Sequence, residues 1–294
     1  MEWTGHSEHL TAAVGMTQVW RPDTTEEAWR LKRQYGTFAS YVAGGTWLRT
    51  RWESGSSVLP PYLISLDKIA PLQAIQQLES EQEAVELRIG AAVTLAAIES
   101  HPLAGGAVPL LGKAVSAVAA PSVRRQATIG GNVMSRSGDL IPALLALDAV
   151  IVSYSQGQYE RQPLAEWLAG DGGDCDKLTV GFELKQVGGS CWFRKIGRRE
   201  TFTPSVITIA CAYRADSTAG RLLDVRIAVG GAGMAPVRLY EAETAAESGA
   251  SGASVYAAVR KGIPSVADDY ASAAYRRMAA ANVIAAELDR AASG

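Results

Sequence analysis

Residues 127–148 read ATIGGNVMSRSGDLIPALLALD, and this stretch decides the fold. Gly130, Gly131 and Asn132 predict a tight turn after Thr128 and Ile129. Glycine reaches backbone angles that cost other residues about 1–2 kcal/mol, and it lets another group come close to the main chain. Three successive N–H groups in such a turn can point the same way and form a concave anion site. Thr128 and Asn132 add polar side chains on either side of it. Residues 140–147 are apolar almost throughout, which predicts a buried helix. Asp139 stands just before it, where a carboxylate can cap the free N–H groups of a first turn.

A second glycine loop lies upstream. Residues 41–48 read YVAGGTWL: Tyr41 and Val42 favour a strand, Ala43 follows, and Gly44, Gly45 and Thr46 lead to Trp47 and Leu48. One such loop on its own is an ordinary turn. Two strand-to-glycine-to-polar turns in one chain predict two backbone cradles for a single diphosphate.

The order AGGT, then TIGGN, then GDLIPALLALDA resembles the FAD-binding subunit of the molybdenum hydroxylases, the relatives of xanthine dehydrogenase and aerobic carbon monoxide dehydrogenase. The resemblance extends over nearly the whole chain. It implies an α+β chain: a two-subdomain FAD-binding fold of the p-cresol methylhydroxylase / vanillyl-alcohol oxidase type, then a C-terminal α+β domain with an antiparallel sheet. The expected boundaries are a leader at 1–15, an FAD-binding domain at 16–188 (subdomains about 16–68 and 69–188) and a C-terminal domain at 189–294.

The resemblance also implies a noncovalent FAD. The residues it assigns to that cofactor are Tyr41, Val42, Ala43, Gly44, Gly45, Thr46, Trp47, Leu48, Thr128, Ile129, Gly130, Gly131, Asn132, Asp139 and Lys195. Asp139 corresponds to a family acid that contacts the ribityl region, although the segment between Asn132 and Gly138 is shortened here and lacks the family's proline. Trp47 stands where the family usually carries an acid, which removes one side-chain contact and leaves backbone contacts intact. In CWFRKIGRRE, residues 191–200, Arg194 and Lys195 are the candidates for a basic residue that approaches the flavin ring, with Lys195 preferred. A cation there stabilises the anionic reduced flavin; the alternative is an edge strand protected by charge. Tyr275, Arg276 and Arg277 match the family's C-terminal YRR signature.

Composition narrows the partners. The chain has 294 residues, 48% hydrophobic and 20% charged, an ordinary globular balance with room for two domains. A net charge of −2 argues against nucleic acid or an anionic membrane as the main partner. No run of about 18 apolar residues is present, so no membrane-spanning helix is expected. Residues 1–10, MEWTGHSEHL, lack the pattern of a secretory signal, and a cytoplasmic location is the expectation. Cys175, Cys191 and Cys211 are too widely spaced for a zinc or iron–sulfur site. The resemblance implies molybdopterin and 2Fe-2S clusters only in partner subunits, with which this cysteine pattern is consistent.

Elsewhere the patterns predict a strand at 19–22, a helix opened by Thr24 and Thr25, and strands at 39–42, 62–65 and 87–92. Thr94 caps a further helix. Residues 149–154 read as a strand, and 178–184 and 190–196 as a strand pair. Residues 230–233, GGAG, are expected to be a structural turn, since they lead to no helix. The longest helix is expected at 268–292, with Asp268 and Asp269 at its start and an inward stripe of Tyr270, Ala274, Met278, Ala281, Ile284, Ala285 and Leu288. Arg49 and Arg51 are solvated or meet a phosphate; the same choice applies to Arg124 and Arg125.

The resulting expectation is an electron-transfer subunit. A molybdopterin-binding large subunit and an iron–sulfur small subunit act before it, and NAD+ or another acceptor after it, in a xanthine dehydrogenase-like complex. The alternatives are a self-contained FAD-dependent oxidoreductase of the same fold and a non-catalytic scaffold.

Overall fold

The computed structural model describes residues 16–78, 86–170, 177–197, 205–216, 218, 220–264 and 266–293. Three sheets organise it. The first holds β1 (Gln18–Trp20), β2 (Ala39–Val42) and β3 (Tyr62–Ser65), parallel and in the order β1-β3-β2. Two helices serve it. α1 (Thr25–Tyr35) is capped by Thr24, whose hydroxyl accepts from the Glu27 amide, and α2 (Thr46–Glu53) follows β2. Parallel strands need crossovers, and these helices supply them.

The second sheet is antiparallel, with β4 (Ile75–Leu78), β5 (Glu86–Gly90), β6 (Val150–Ser155), β7 (Gln158–Pro163) and β8 (Leu178–Lys185) in the order β4-β5-β8-β6-β7. Between β5 and β6 come α3 (Leu95–Ser100), α4 (Pro109–Ala117), α5 (Pro121–Arg124), α6 (Ile129–Met134) and α7 (Ile141–Ala146). α8 (Leu164–Ala169) follows β7. The third sheet is also antiparallel: β9 (Ser190–Gly197), β10 (Ser205–Asp216), β11 (Arg221–Gly231) and β12 (Met234–Arg238), in the order β12-β11-β10-β9. α9 (Tyr240–Glu247), α10 (Gly252–Gly262) and α11 (Ala273–Ser293) complete the chain.

The strand pair expected from 178–184 and 190–196 does not form. β8 lies between β5 and β6, and β9 pairs with β10. Alternation within each strand was readable, but long-range pairing outcompetes the nearest neighbour in sequence. The chain switches sheets between β8 and β9.

Two apolar layers fix the position of the third sheet. Phe193, Ala210, Ala212 and Ala228 on one face join the core around α7, whose residues Ile141, Ala143, Leu144 and Ala146 are fully buried. Ile207, Ile209, Ile227 and Val229 face α9–α11 instead. Burial of this kind stabilises by about 25 cal/mol per Å² of apolar surface, so α7 binds the second sheet to the third.

The last helix begins at Ala273, five residues later than its charge pattern predicts, and Ala281, Ile284 and Leu288 are buried while Tyr270 and Met278 are exposed. Asp268 does not meet its dipole. It accepts from the Tyr270 and Ala271 amides (2.9 Å each) and pairs with Arg276. Arg276 is fully buried, and its Nη1 donates to the Val206 (2.6 Å) and Ala232 (3.1 Å) carbonyls. The first arginine of the YRR signature thus holds α11 to β10 and to the β11–β12 hairpin; of residues 230–233, Gly230 and Gly231 end β11, and Ala232 and Gly233 make the turn.

Candidate functional site

The first glycine loop is the N-terminus of a helix. β2 ends at Val42, the chain turns through Gly44 and Gly45, and α2 begins at Thr46. Gly45 is its cap residue, in the left-handed region at φ 68°, where a Cβ would be strained. It offers no side chain to satisfy the first turn. Among the described residues, none of the hydrogen bonds uses the amides of Gly44, Gly45, Thr46, Trp47 or Leu48; the helix ladder opens at Arg49, which donates to Gly45 O at 2.8 Å. The positive end of the helix dipole lies at the same place. The sequence pattern predicted no element over TWLRTRWE, whose Arg49 and Arg51 stand on alternating positions. In the helix, Arg49 pairs with Glu53 at 2.7 Å and Arg51 turns to Trp47.

The second glycine loop has the opposite character. Gly130 and Gly131 do not make a left-handed turn; they lie in the first turn of α6. Ile129 N donates to Val93 O (3.0 Å), Gly130 N to Ala91 O (2.9 Å) and Asn132 N to Thr128 O (3.0 Å). Gly131 N donates to the Thr128 hydroxyl at 3.1 Å. The amides expected to form an anion nest are thus taken up within the protein. Ile129 is fully buried and Thr128 nearly so. Glycine is needed at 130 for a different reason: a Cβ there would lie 2.6 Å from Ala91 O and 2.8 Å from Ala91 Cβ.

The two loops touch. A Cβ on Gly44 would sit 1.7 Å from Gln126 O, so only glycine lets the first loop lie against the segment that precedes α6. Arg124 holds that segment from inside. It is buried, it pairs with Glu99 (Nε to Oε2, 3.0 Å), and its Nη1 donates to the Val118 (3.1 Å) and Ala119 (2.9 Å) carbonyls. Of the two arginines in SVRRQ, Arg124 is structural and Arg125 is exposed.

Asp139 and Lys195 meet across 56 residues of sequence, Nζ to Oδ2 at 2.8 Å, with both side chains largely withdrawn from solvent. Ser205 Oγ donates to the other carboxylate oxygen at 2.5 Å. The expected cap is absent: Leu140 is the cap residue of α7, no side chain serves it, and Asp139 points to the third sheet. Asn132 fixes the intervening loop, its Oδ1 accepting from Leu140 N at 3.1 Å. Arg194, on the opposite face of β9, reaches Glu287 instead at 3.5 Å.

Tyr41, Val42, Ala43 and Leu48 are half-buried around the first loop and Trp47 is exposed. That loop meets residues 126–127 just before α6, and Asn132 of α6 is tied to Leu140, the neighbour of the Asp139–Lys195 pair. Gln126 and Ser205 carried no motif that would have identified them. Covalent flavin attachment would need a histidine or a cysteine near the ring, and the nearest to consider, His101, Cys175 and Cys191, lie outside both glycine loops. His101 Nδ1 accepts from the Leu103 and Ala104 amides, and Cys191 lies beside Lys113 with its thiol pushed up by burial. Cys175 lies outside the described residues.

Known proteins resemble this chain in sequence and in fold. Residues 15–180 match the model of the FAD binding domain in molybdopterin dehydrogenase. The FAD-subunit of nicotinate dehydrogenase from Eubacterium barkeri is 30% identical over 214 residues, 68% of this chain and 69% of that protein. The xanthine dehydrogenase FAD-binding subunit of Escherichia coli O157:H7 is 28% identical over 196 residues, 64% of this chain and 65% of that protein. Carbon monoxide dehydrogenase from Hydrogenophaga pseudoflava includes a chain of the same fold, with a TM-score of 0.85 at 22% identity, covering 94% of this chain and 97% of that one.

Proposed function

Because the chain belongs to the family of FAD-binding domains of the molybdopterin dehydrogenases, we propose that it takes electrons from the iron–sulfur clusters of a partner subunit and passes them through FAD to NAD+ or another acceptor. The observation that carries this reading is the first glycine loop. Five consecutive amides, from Gly44 to Leu48, stand at a helix N-terminus without a partner among the described residues. A diphosphate is the group that such a cradle suits, with two negative charges and several acceptor oxygens. Gly44 and Gly45 allow the loop this shape: no Cβ fits between Gly44 and the Gln126 carbonyl, and Gly45 takes φ 68°.

In this reading the amides of residues 44–48 hold the diphosphate, and residues 126–127, carried by the rigidly bonded start of α6, are the surface on which Gly44 lies. Lys195 supplies a cation whose direction is fixed by Asp139, and Asp139 is in turn fixed by Ser205. When bound, FAD supplies the one- and two-electron chemistry that no side chain has. The protein's part is to orient it and to set the charge around it.

The complex as a whole oxidises a nitrogen heterocycle in this proposal, xanthine-like or nicotinate-like, since the two relatives matched by sequence above are subunits of nicotinate and xanthine dehydrogenases. Its substrate pocket and molybdopterin lie in a large partner subunit, and the clusters in a small one. A cytoplasmic location accords with the lack, among the described residues, of any helix long and apolar enough to cross a membrane.

The test is reconstitution. The chain, purified alone and with its partner subunits, is loaded with FAD, freed of excess and examined by visible spectroscopy before and after acid. Stoichiometric flavin released by acid is expected. Flavin that stays attached would contradict the noncovalent reading. No flavin even in the assembled complex would contradict the function.

A further inference from the structure

Trp47 is not explained by the fold. It belongs to none of the three apolar cores and is 42% exposed, unusual for so large an aromatic group. Yet it is held. The Arg51 guanidinium carbon lies 4.8 Å from its ring centroid, one helical turn on, and Arg51 Nη2 is anchored by the Ser56 carbonyl at 3.3 Å. One ring face is therefore covered by a fixed cation. Arg51 has no carboxylate partner among the described residues, whereas its neighbour Arg49 is neutralised by Glu53.

We propose that Trp47 is the stacking platform for the adenine of the bound dinucleotide, with Arg51 as its backing. This rests on the FAD reading above. Trp47 carries one of the five unclaimed amides of the cradle, so its side chain leaves the backbone where the diphosphate is held. A purine joined to that diphosphate through one ribose lies within reach of the indole. A preorganised aromatic ring binds a base with little further loss of side-chain freedom, and stacking tolerates any purine face. Arg51 adds a positive charge next to the phosphates and stacks on the indole as guanidinium groups do.

The test separates the adenosine half of the cofactor from the flavin half. Isothermal titration of the full chain with FAD, ADP and FMN is compared for wild type, Trp47→Ala and Trp47→Phe. Trp47→Ala is expected to weaken FAD and ADP by about tenfold, the size of a lost base–aromatic stack, and to leave FMN unchanged. Trp47→Phe should recover most of the loss. Unchanged FAD and ADP affinity in Trp47→Ala would overturn the proposal. An equal loss for FMN would also overturn it, by showing damage to the cradle in place of a lost stack. A wild-type chain that takes up no FAD in the assembled complex would instead remove the reading on which the proposal rests.

Discussion

The two glycine loops look alike in sequence and differ in what their glycines do. In AGGT, Gly44 lets one segment lie on another and Gly45 turns the chain into a helix whose first amides are left unclaimed. In TIGGN, Gly130 fits against Ala91, and the amides of Ile129, Gly130, Gly131 and Asn132 all have partners inside the protein. One loop leaves its donors free, and the other spends its donors inside the protein, just after the Gln126–Ala127 segment on which Gly44 lies. A motif shared by two loops therefore need not mean a shared role. Accounting for each N–H separates them.

The comparison is broken most severely at Gly44. Gly44→Ala places a Cβ on the Gln126 carbonyl, so the loops must part, and flavin content after gel filtration should fall from stoichiometric to undetectable. Retained flavin would mean the contact between the loops is dispensable. Gly130→Ala should act differently. Its Cβ meets the Ala91 backbone, which costs about 1–3 kcal/mol of stability by overpacking, and the melting temperature should drop by several degrees. Flavin affinity, measured well below that temperature, should change less than stability does. A variant that melts normally but loses flavin would place a ligand at α6.

Asp139→Ala removes the partner of a largely buried ammonium. A stability loss of about 1–3 kcal/mol is expected by chemical denaturation, since Lys195 is left without compensation. Adding Lys195→Met should return part of that loss; strictly additive losses would show that the pair is not coupled. The smallest effect is expected from Thr128→Ala. It frees the Gly131 amide at the start of α6 and should cost about 1 kcal/mol. The freed amide would also begin to resemble those of the first loop.

Much of this arrangement was legible in the sequence. Both loops and the apolar helix that becomes α7 could be located from motif and pattern. What was not legible depends on distant partners. Asp139 reads as a helix cap because caps are local, but a lysine 56 residues away claims it. Residues 178–184 read as the partner of the next strand, yet the second sheet claims them. The nest expected at Gly130 gives way to backbone bonding with residues 91–93, which no local rule announces. α2 carries no apolar stripe to announce it; its helical spacing shows in the pairs Trp47–Arg51 and Arg49–Glu53, each four residues apart.

The measurement that tests the account most directly is amide hydrogen exchange of the full chain with and without FAD. Without FAD, the amides of residues 44–48 should exchange quickly, and those of 129–132 should already be protected. Adding FAD should slow exchange at 44–48 and leave 129–132 nearly unchanged. New protection at 129–132 with none at 44–48 would contradict the assignment of free and spent donors.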